Sequence, residues 1–412
     1  MMSNYPICLA AYSIDEDRIW SSSGGIFAEI AKVVLDRSGV VFGAAIDTDG
    51  KVFHKYITKK EELYDLLGSK YVQSDLGTSF SDVRKFLRDN RLVLFCGTPC
   101  QTEGLLSFLG KRPDNLIVVD FICHGVPSFK VFHNYLKEIS NEREVEKIYF
   151  RDKEKGWADY SFRIEYKNGE VYKRIFNLSN YMYGFIYDLY LRPSCYDCPF
   201  KGINRKTDIT LGDFWGITEE EPEFYDRDGV SVLLLHNEKS KQLIDLIGDK
   251  IKSKLIQVDE VAKHNPSLIK PSDKNIMRGL FFFEMKKGVS YTVEGIKNPN
   301  IIQKVRNKLY RGAYKRLTAY GSSKTTEKSF AKKDSVPVLY TNKEKCCGCS
   351  ACINICPKNT IKMKEDKEGF MYPVIDKSNC IGCRNCIRVC PISGSDRAPR
   401  LIKGEVVNEA NQ

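Results

Sequence analysis

Through residues 1–295 short apolar runs alternate with amphipathic stretches of helical period. Val40–Ile46, Leu92–Phe95 and Leu116–Ile122 are apolar nearly throughout and of strand length, while Ile26–Asp36 and Gln101–Leu109 gather apolar side chains on one helical face. Strands alternating with helices predict a large α/β (α+β) domain over 1–295. From Ile301 to Tyr320 the residues Ile301, Val305, Leu309, Ala313 and Leu317 recur at every fourth position, one stripe of a further helix with Lys and Arg elsewhere. The polar run GSSKTTEKSFAKKDS then reads as a flexible tether, so that 296–336 is a basic helix and linker. A small cysteine-rich domain over 337–395 and a tail, 396–412, complete the chain, with no repeat of solenoid period.

The chain has 412 residues, 42% hydrophobic and 28% charged, a globular balance with room for two or three domains. The N-terminal stretch MMSNYPICLAAYSIDEDRIW lacks the basic-then-apolar order of a signal peptide, and no window reaches the roughly 18 apolar residues of a membrane span. Both point to a cytoplasmic chain. Thiols stay reduced there, so the 15 cysteines read as metal ligands rather than disulfides, and nine of them fall between Cys346 and Cys390. The net charge of +11 does not indicate nucleic-acid binding, because 297–334 alone holds 11 Lys and Arg against Glu327 and Asp334 and the remainder is near neutral.

Cys346-x2-Cys349-x2-Cys352-x3-Cys356-Pro357 is followed by Cys380-x2-Cys383-x2-Cys386-x3-Cys390-Pro391. In this spacing three thiolates wrap one 4Fe-4S cluster and the fourth reaches the other. One cluster therefore takes Cys346, Cys349, Cys352 and Cys390, and the second takes Cys380, Cys383, Cys386 and Cys356. Zinc is the alternative that CxxC pairs raise, but two identical CxxCxxCxxxCP runs are far more specific to a ferredoxin-like pair. Cys347 reads as a bystander, and EDKEGFMYPVID reads as a hairpin that covers the clusters.

In the large domain, Cys100 and Cys123 follow apolar strands, where open α/β sheets place ligands, and Cys195-x2-Cys198 adds a pair. The residues alone leave two readings: four ligands of a third cluster, or two small buried hydrophobes beside a CxxC that holds something else, such as zinc. Ser21-Ser22-Ser23-Gly24-Gly25 precedes a helix and either cradles a pyrophosphate or is an ordinary N-cap. Lys70 is either a phosphate partner or a solvated loop residue. Gly97-Thr98-Pro99 is a tight turn with a hydroxyl beside Cys100, or a plain strand-to-helix turn.

The blocks SSSGGIF at 21–27, GSKYVQS at 68–74, CGTPCQ at 96–101, ICHGVPS at 122–128, RPSCYDC at 192–198 and DITLGDFWGI at 208–217 together resemble the coenzyme F420 hydrogenase/dehydrogenase beta-subunit family. The resemblance is to its bacterial branch associated with polysaccharide biosynthesis, and it covers about residues 5–290 plus the ferredoxin-like segment. There the two-cluster module usually precedes the large domain, whereas here it follows the tether. The resemblance implies FAD, with Ser23, Gly24, Gly25, Lys70, Gly97, Thr98 and Pro99 as contacts, and a third 4Fe-4S cluster on Cys100, Cys123, Cys195 and Cys198. The implied function is an iron-sulfur flavoprotein oxidoreductase that exchanges electrons with a deazaflavin or nicotinamide coenzyme or a redox partner protein. The competing function is a non-catalytic electron-transfer subunit of another enzyme. No G-x-G-x-x-G fingerprint marks a nicotinamide site. The basic stripe from Lys304 to Arg316 reads as a solvated tether, a surface for an acidic redox partner, or a peripheral membrane contact through 301–320.

Overall fold

The computed structural model describes residues 5–320 and 336–393. Its strands are β1 (Ile7–Ser13), β2 (Val40–Ile46), β3 (Val52–Ile57), β4 (Val93–Cys96), β5 (Leu116–Phe121), β6 (Val145–Asp152), β7 (Ser161–Tyr166), β8 (Val171–Ile175), β9 (Ile209–Asp213), β10 (Ser231–Leu235), β11 (Ile251–Leu255), β12 (Ile361–Glu365) and β13 (Met371–Ile375). Eight of them form one mixed sheet in the order β11-β1-β10-β9-β5-β4-β2-β3. Its middle, β2, β4, β5 and β9, is parallel, and β3 on one side and β10, β1 and β11 on the other are antiparallel.

The parallel strands read as unbroken apolar runs because both faces are covered. Val41, Leu94 and Ile117 point to a core shared with helix α1 (Ile26–Asp36) through Ile26, Ile30 and Val34. Their neighbours Val40, Phe42, Val93, Phe95, Leu116 and Val118 point to the opposite face. There they pack on Phe80 and Val83 of α2 (Ser79–Arg88) and on Leu105 and Phe108 of α3 (Pro99–Leu109). The helix expected from Gln101 begins two residues earlier, since Pro99 fits the first turn and Thr98 with Gln101 closes a capping box before it.

A three-stranded meander, β6-β7-β8, was not evident from the sequence. Its aromatic face, Phe150 and Phe162, meets Phe132 and Tyr135 of α4 (Phe129–Ser140) and Tyr181. The helix Ile301–Tyr320 forms as its periodicity predicts, and Arg306 paired with Glu284 and Asn307 donating to the Gly295 carbonyl (3.0 Å) hold it to the body. Residues 337–393 fold around the β12–β13 hairpin, which is the hairpin read from EDKEGFMYPVID. Most of the linker, 321–335, and the tail 396–412 lie outside the described residues.

Candidate metal and cofactor centres

The two cysteine runs bound two neighbouring cavities. Cys346, Cys347, Cys349, Cys352 and Cys390 line one, Cys356, Cys380 and Cys383 line the other, and Cys386 stands between them and lines both. Each fourth cysteine thus lies at the cavity of the neighbouring run's triplet. Short helices, Ala351–Asn354 and Asn385–Arg388, carry Cys352 and Cys386 and turn each run back toward its partner. Among the described residues no three His, Cys, Asp or Glu side chains converge closely enough for a single metal ion. Four thiols standing around a cavity instead suit a sulfide-bridged cluster better than lone zinc. Burial pushes the thiols of Cys349, Cys352 and Cys386 up, although hydrogen bonding with Cys347 works the other way at Cys349. Burial also acts to raise Cys356, but hydrogen bonds from Thr360 and the Lys358 and Asn359 amides outweigh it and hold this thiol below its ordinary range.

The first cavity faces the large domain. Arg192, fully buried, sends its guanidinium across the junction: Nη1 donates to Gln73 Oε1 (2.8 Å), Nε to the Cys346 carbonyl (2.9 Å) and Nη2 to the Met371 carbonyl (3.0 Å). Nη2 also stands 3.8 Å from Cys346 Sγ, and the guanidinium stacks on Tyr372 at 4.3 Å. Gln73 donates to the Cys347 carbonyl (3.1 Å), Ser81 to Asn354, Ser128 to the Glu368 carbonyl (2.8 Å), and Arg278 pairs with Glu368 at 2.7 Å. Gly104 of α3 admits this contact, because a Cβ there would lie 3.0 Å from Cys349 Sγ.

Cys347, read as a bystander from its spacing, is buried at the junction in one core with Cys349, and Cys100 packs against that core. Cys100, Cys123, Cys195 and Cys198 lie within electrostatic reach of one another, so the large domain's four candidate ligands gather on the cluster side of the sheet. Hydrogen bonding with Cys347 holds the Cys100 thiol well up, and burial raises Cys123 to about 12 and Cys198 to about 11. Cys100 and Cys123 follow β4 and β5, and Cys195 sits in the 3-10 turn Pro193–Asp197.

The remaining candidates sit near the sheet's other end or in the turn after β4. Ser23 Oγ donates to the Val230 carbonyl (2.9 Å) and the Gly24 amide to Ser231 Oγ (2.9 Å), while Gly25 takes a left-handed φ of 81° at the start of α1. Ser23 and Gly24 are therefore tied into the sheet rather than turned outward. Lys70 Nζ donates to the Leu67 and Asp65 carbonyls, and burial lowers its pKa to about 7. The Gly97 amide bonds Val119 O, Thr98 Oγ1 lies 3.1 Å from Cys100 Sγ, and Pro99 opens α3.

Around Ser21–Gly25 the structure adds cations that sequence patterns did not single out. Lys153 Nζ donates to the carbonyls of Asp228 (2.7 Å), Arg18 (3.0 Å) and Ser23 (3.3 Å). Arg151 holds Asp213 at 2.8 Å and stacks on Trp215, itself stacked on Trp157 at 4.6 Å. Arg18 Nη1, Arg151 Nε and Nη2, and Ser21 Oγ are buried without a hydrogen-bond partner in the protein. Orphaned buried donors beside cations are what a polyanion such as a pyrophosphate would satisfy. Burial lowers the Lys153 pKa from 10.5 to about 7, helped by Arg151. Between those values the unfolded state binds the extra proton, so stability rises with pH. We expect the wild type to gain more stability than Lys153→Met between pH 7 and 8.5, read as urea midpoints; parallel shifts would contradict a depressed Lys153.

Such centres on such a sheet define an iron-sulfur electron-transfer protein. Residues 345–393 match the 4Fe-4S dicluster domain, and residues 90–261 match the family model for the C-terminal region of the coenzyme F420 hydrogenase/dehydrogenase beta subunit. The chain is thus related to that beta-subunit family, an oxidoreductase family, and carries its dicluster domain at the C-terminal side. Among solved structures, a chain of the F420-reducing nickel-iron hydrogenase complex from Methanosarcina barkeri is similar at 17% identity, covering 69% of this chain and 93% of that one with a TM-score of 0.46. No curated protein matches. Among the described residues no helix is long and apolar enough to cross a membrane.

Proposed function

We propose that this protein is an iron-sulfur flavoprotein oxidoreductase that exchanges electrons between a two-electron coenzyme, deazaflavin or nicotinamide, and a one-electron route ending in the dicluster domain. When bound, FAD takes a hydride's two electrons together and releases them singly, and 4Fe-4S clusters carry them one at a time. Arg18, Arg151 and Lys153 would hold the flavin's phosphates beside Ser21–Gly25, and Cys100, Cys123, Cys195 and Cys198 would hold a third cluster. The observation that carries this reading is the packing of Cys100 against the core that holds Cys347 and Cys349, which joins the large domain's thiol group to the first dicluster cavity. The resemblance to the bacterial branch suggests surface-polysaccharide assembly as the setting. Anaerobic iron and flavin analysis tests the proposal: about twelve irons and one flavin per chain are expected, and about eight irons with no flavin would reduce the protein to its ferredoxin pair.

The helix Ile301–Tyr320 supports a peripheral membrane location. Ile301 and Ile302 are each 80% exposed, Leu309 69% and Leu317 74%, and the helix carries six Lys and Arg with no acidic residue. An exposed apolar stripe beside cations fits an anionic lipid surface. The protein is expected to co-sediment with phosphatidylserine vesicles and to be released by Leu309→Glu; equal retention on neutral vesicles, or none on either, would sink the idea.

A further inference from the structure

The two dicluster cavities are not equivalent in their surroundings. The first is closed in by the large domain: Cys347, Cys349 and Ala351 join the core formed with α2 and α3, and Arg192 lies against Cys346. It is also the cavity joined to Cys100. The second has an exposed rim. Cys383 is exposed, Ile381 at its mouth is 59% exposed, and Lys358 and Arg384 line it. Residues 337–393 hold nine Lys and Arg against five Asp and Glu. Three of those carboxylates are engaged internally: Glu368 by Arg278 toward the large domain, Asp366 by Lys343, and Asp376 by Ser378 and Asn379. The mouth is therefore an exposed apolar tip beside cations.

We infer that this mouth, around Ile381 with Lys358 and Arg384, is the docking surface for a small acidic one-electron carrier protein. The inference rests on the proposed function and deepens it by naming the partner's chemistry and its entry point. A hydride-carrying coenzyme is the wrong visitor here, because thiolate-held clusters take electrons singly whereas a hydride delivers two together. In the exchange one electron leaves the reduced carrier and one enters the protein, with no atom or proton transferred. A positive surface would steer an anionic partner, so the cations govern the association rate more than the final affinity. Ile381 supplies the dry contact at the centre of the patch.

The test uses the reconstituted full chain and an acidic flavodoxin hydroquinone as the probe, followed by stopped-flow absorbance. The wild-type second-order rate should fall steeply with added salt, and Lys358→Glu with Arg384→Glu should lower it at least tenfold at low salt and flatten that dependence. Arg311→Glu with Lys315→Glu, on the 301–320 helix, should leave it unchanged. Iron content is measured on every sample. Low iron in the wild type would refute the cluster reading itself, whereas full iron with equal rates in all variants, or a loss confined to the Arg311 and Lys315 pair, would overturn the docking surface. Ile381→Ala, which leaves charge intact, should also slow exchange; no change there would count against the apolar centre.

Discussion

Replacing Cys346 and Cys390 together with serine should remove about four irons per chain, not about eight. The two residues belong to different sequence runs but line one cavity, while Cys356 completes the other with Cys380, Cys383 and Cys386. If each run instead held its own cluster, the same double variant would damage both sites. Cys356→Ser with Cys383→Ser makes the complementary case and should spare the cavity beside Arg192. Iron analysis separates the outcomes, and low-temperature EPR of the dithionite-reduced protein should lose the signal of one dicluster site in each variant and retain that of the other. Serine keeps the size of the side chain, so the loss reports on ligation rather than packing.

Arg192→Met should be the most damaging single substitution outside the cysteines. It strips charged donors from Gln73 Oε1 and the Cys346 and Met371 carbonyls, all at the junction. Buried acceptors left unpaired cost ~1–3 kcal/mol each, so about 4 kcal/mol of docking free energy is at stake after partial relaxation. The expected signature is faster amide hydrogen exchange in β13 with β4 and β5 still protected. Arg192→Lys retains charge but not the planar three-way fork, and should recover only part of the protection. Uniform loss of protection across the large sheet would show instead that Arg192 supports the whole fold.

Local pattern made the strands legible: Val40–Ile46 is observed at its expected bounds, and Leu116–Ile122 differs only by one residue. The crossed cysteine sets could be proposed from the sequence because the spacing of the two runs is specific to a cluster pair. Arg192 was not, since its partners lie 119 residues before it and 154 after it, and no local period records such a pairing. Its position directly before Pro193-Ser194-Cys195 was a visible clue. The burial of Cys347 was hidden for a related reason: spacing shows which thiols can share a cluster but not what stands across an interface. Arg18, Arg151 and Lys153 come from three separate segments and meet only after the meander folds onto the sheet. The turns at Ser21–Gly25 and Gly97–Pro99 were located correctly, but the extent to which Ser23 and Gly24 are occupied by β10 depended on strand order.

The dicluster domain is seated by Gln73, Ser81, Ser128, Arg192 and Arg278, residues scattered over more than half of the large domain. A receiving surface assembled from so many places exists only once the large domain has its tertiary structure. Its shape does not depend on the terminus from which the guest is leashed. Gene rearrangements that move the smaller domain from the front of the chain to the back can therefore preserve the same mating, provided the leash spans the gap.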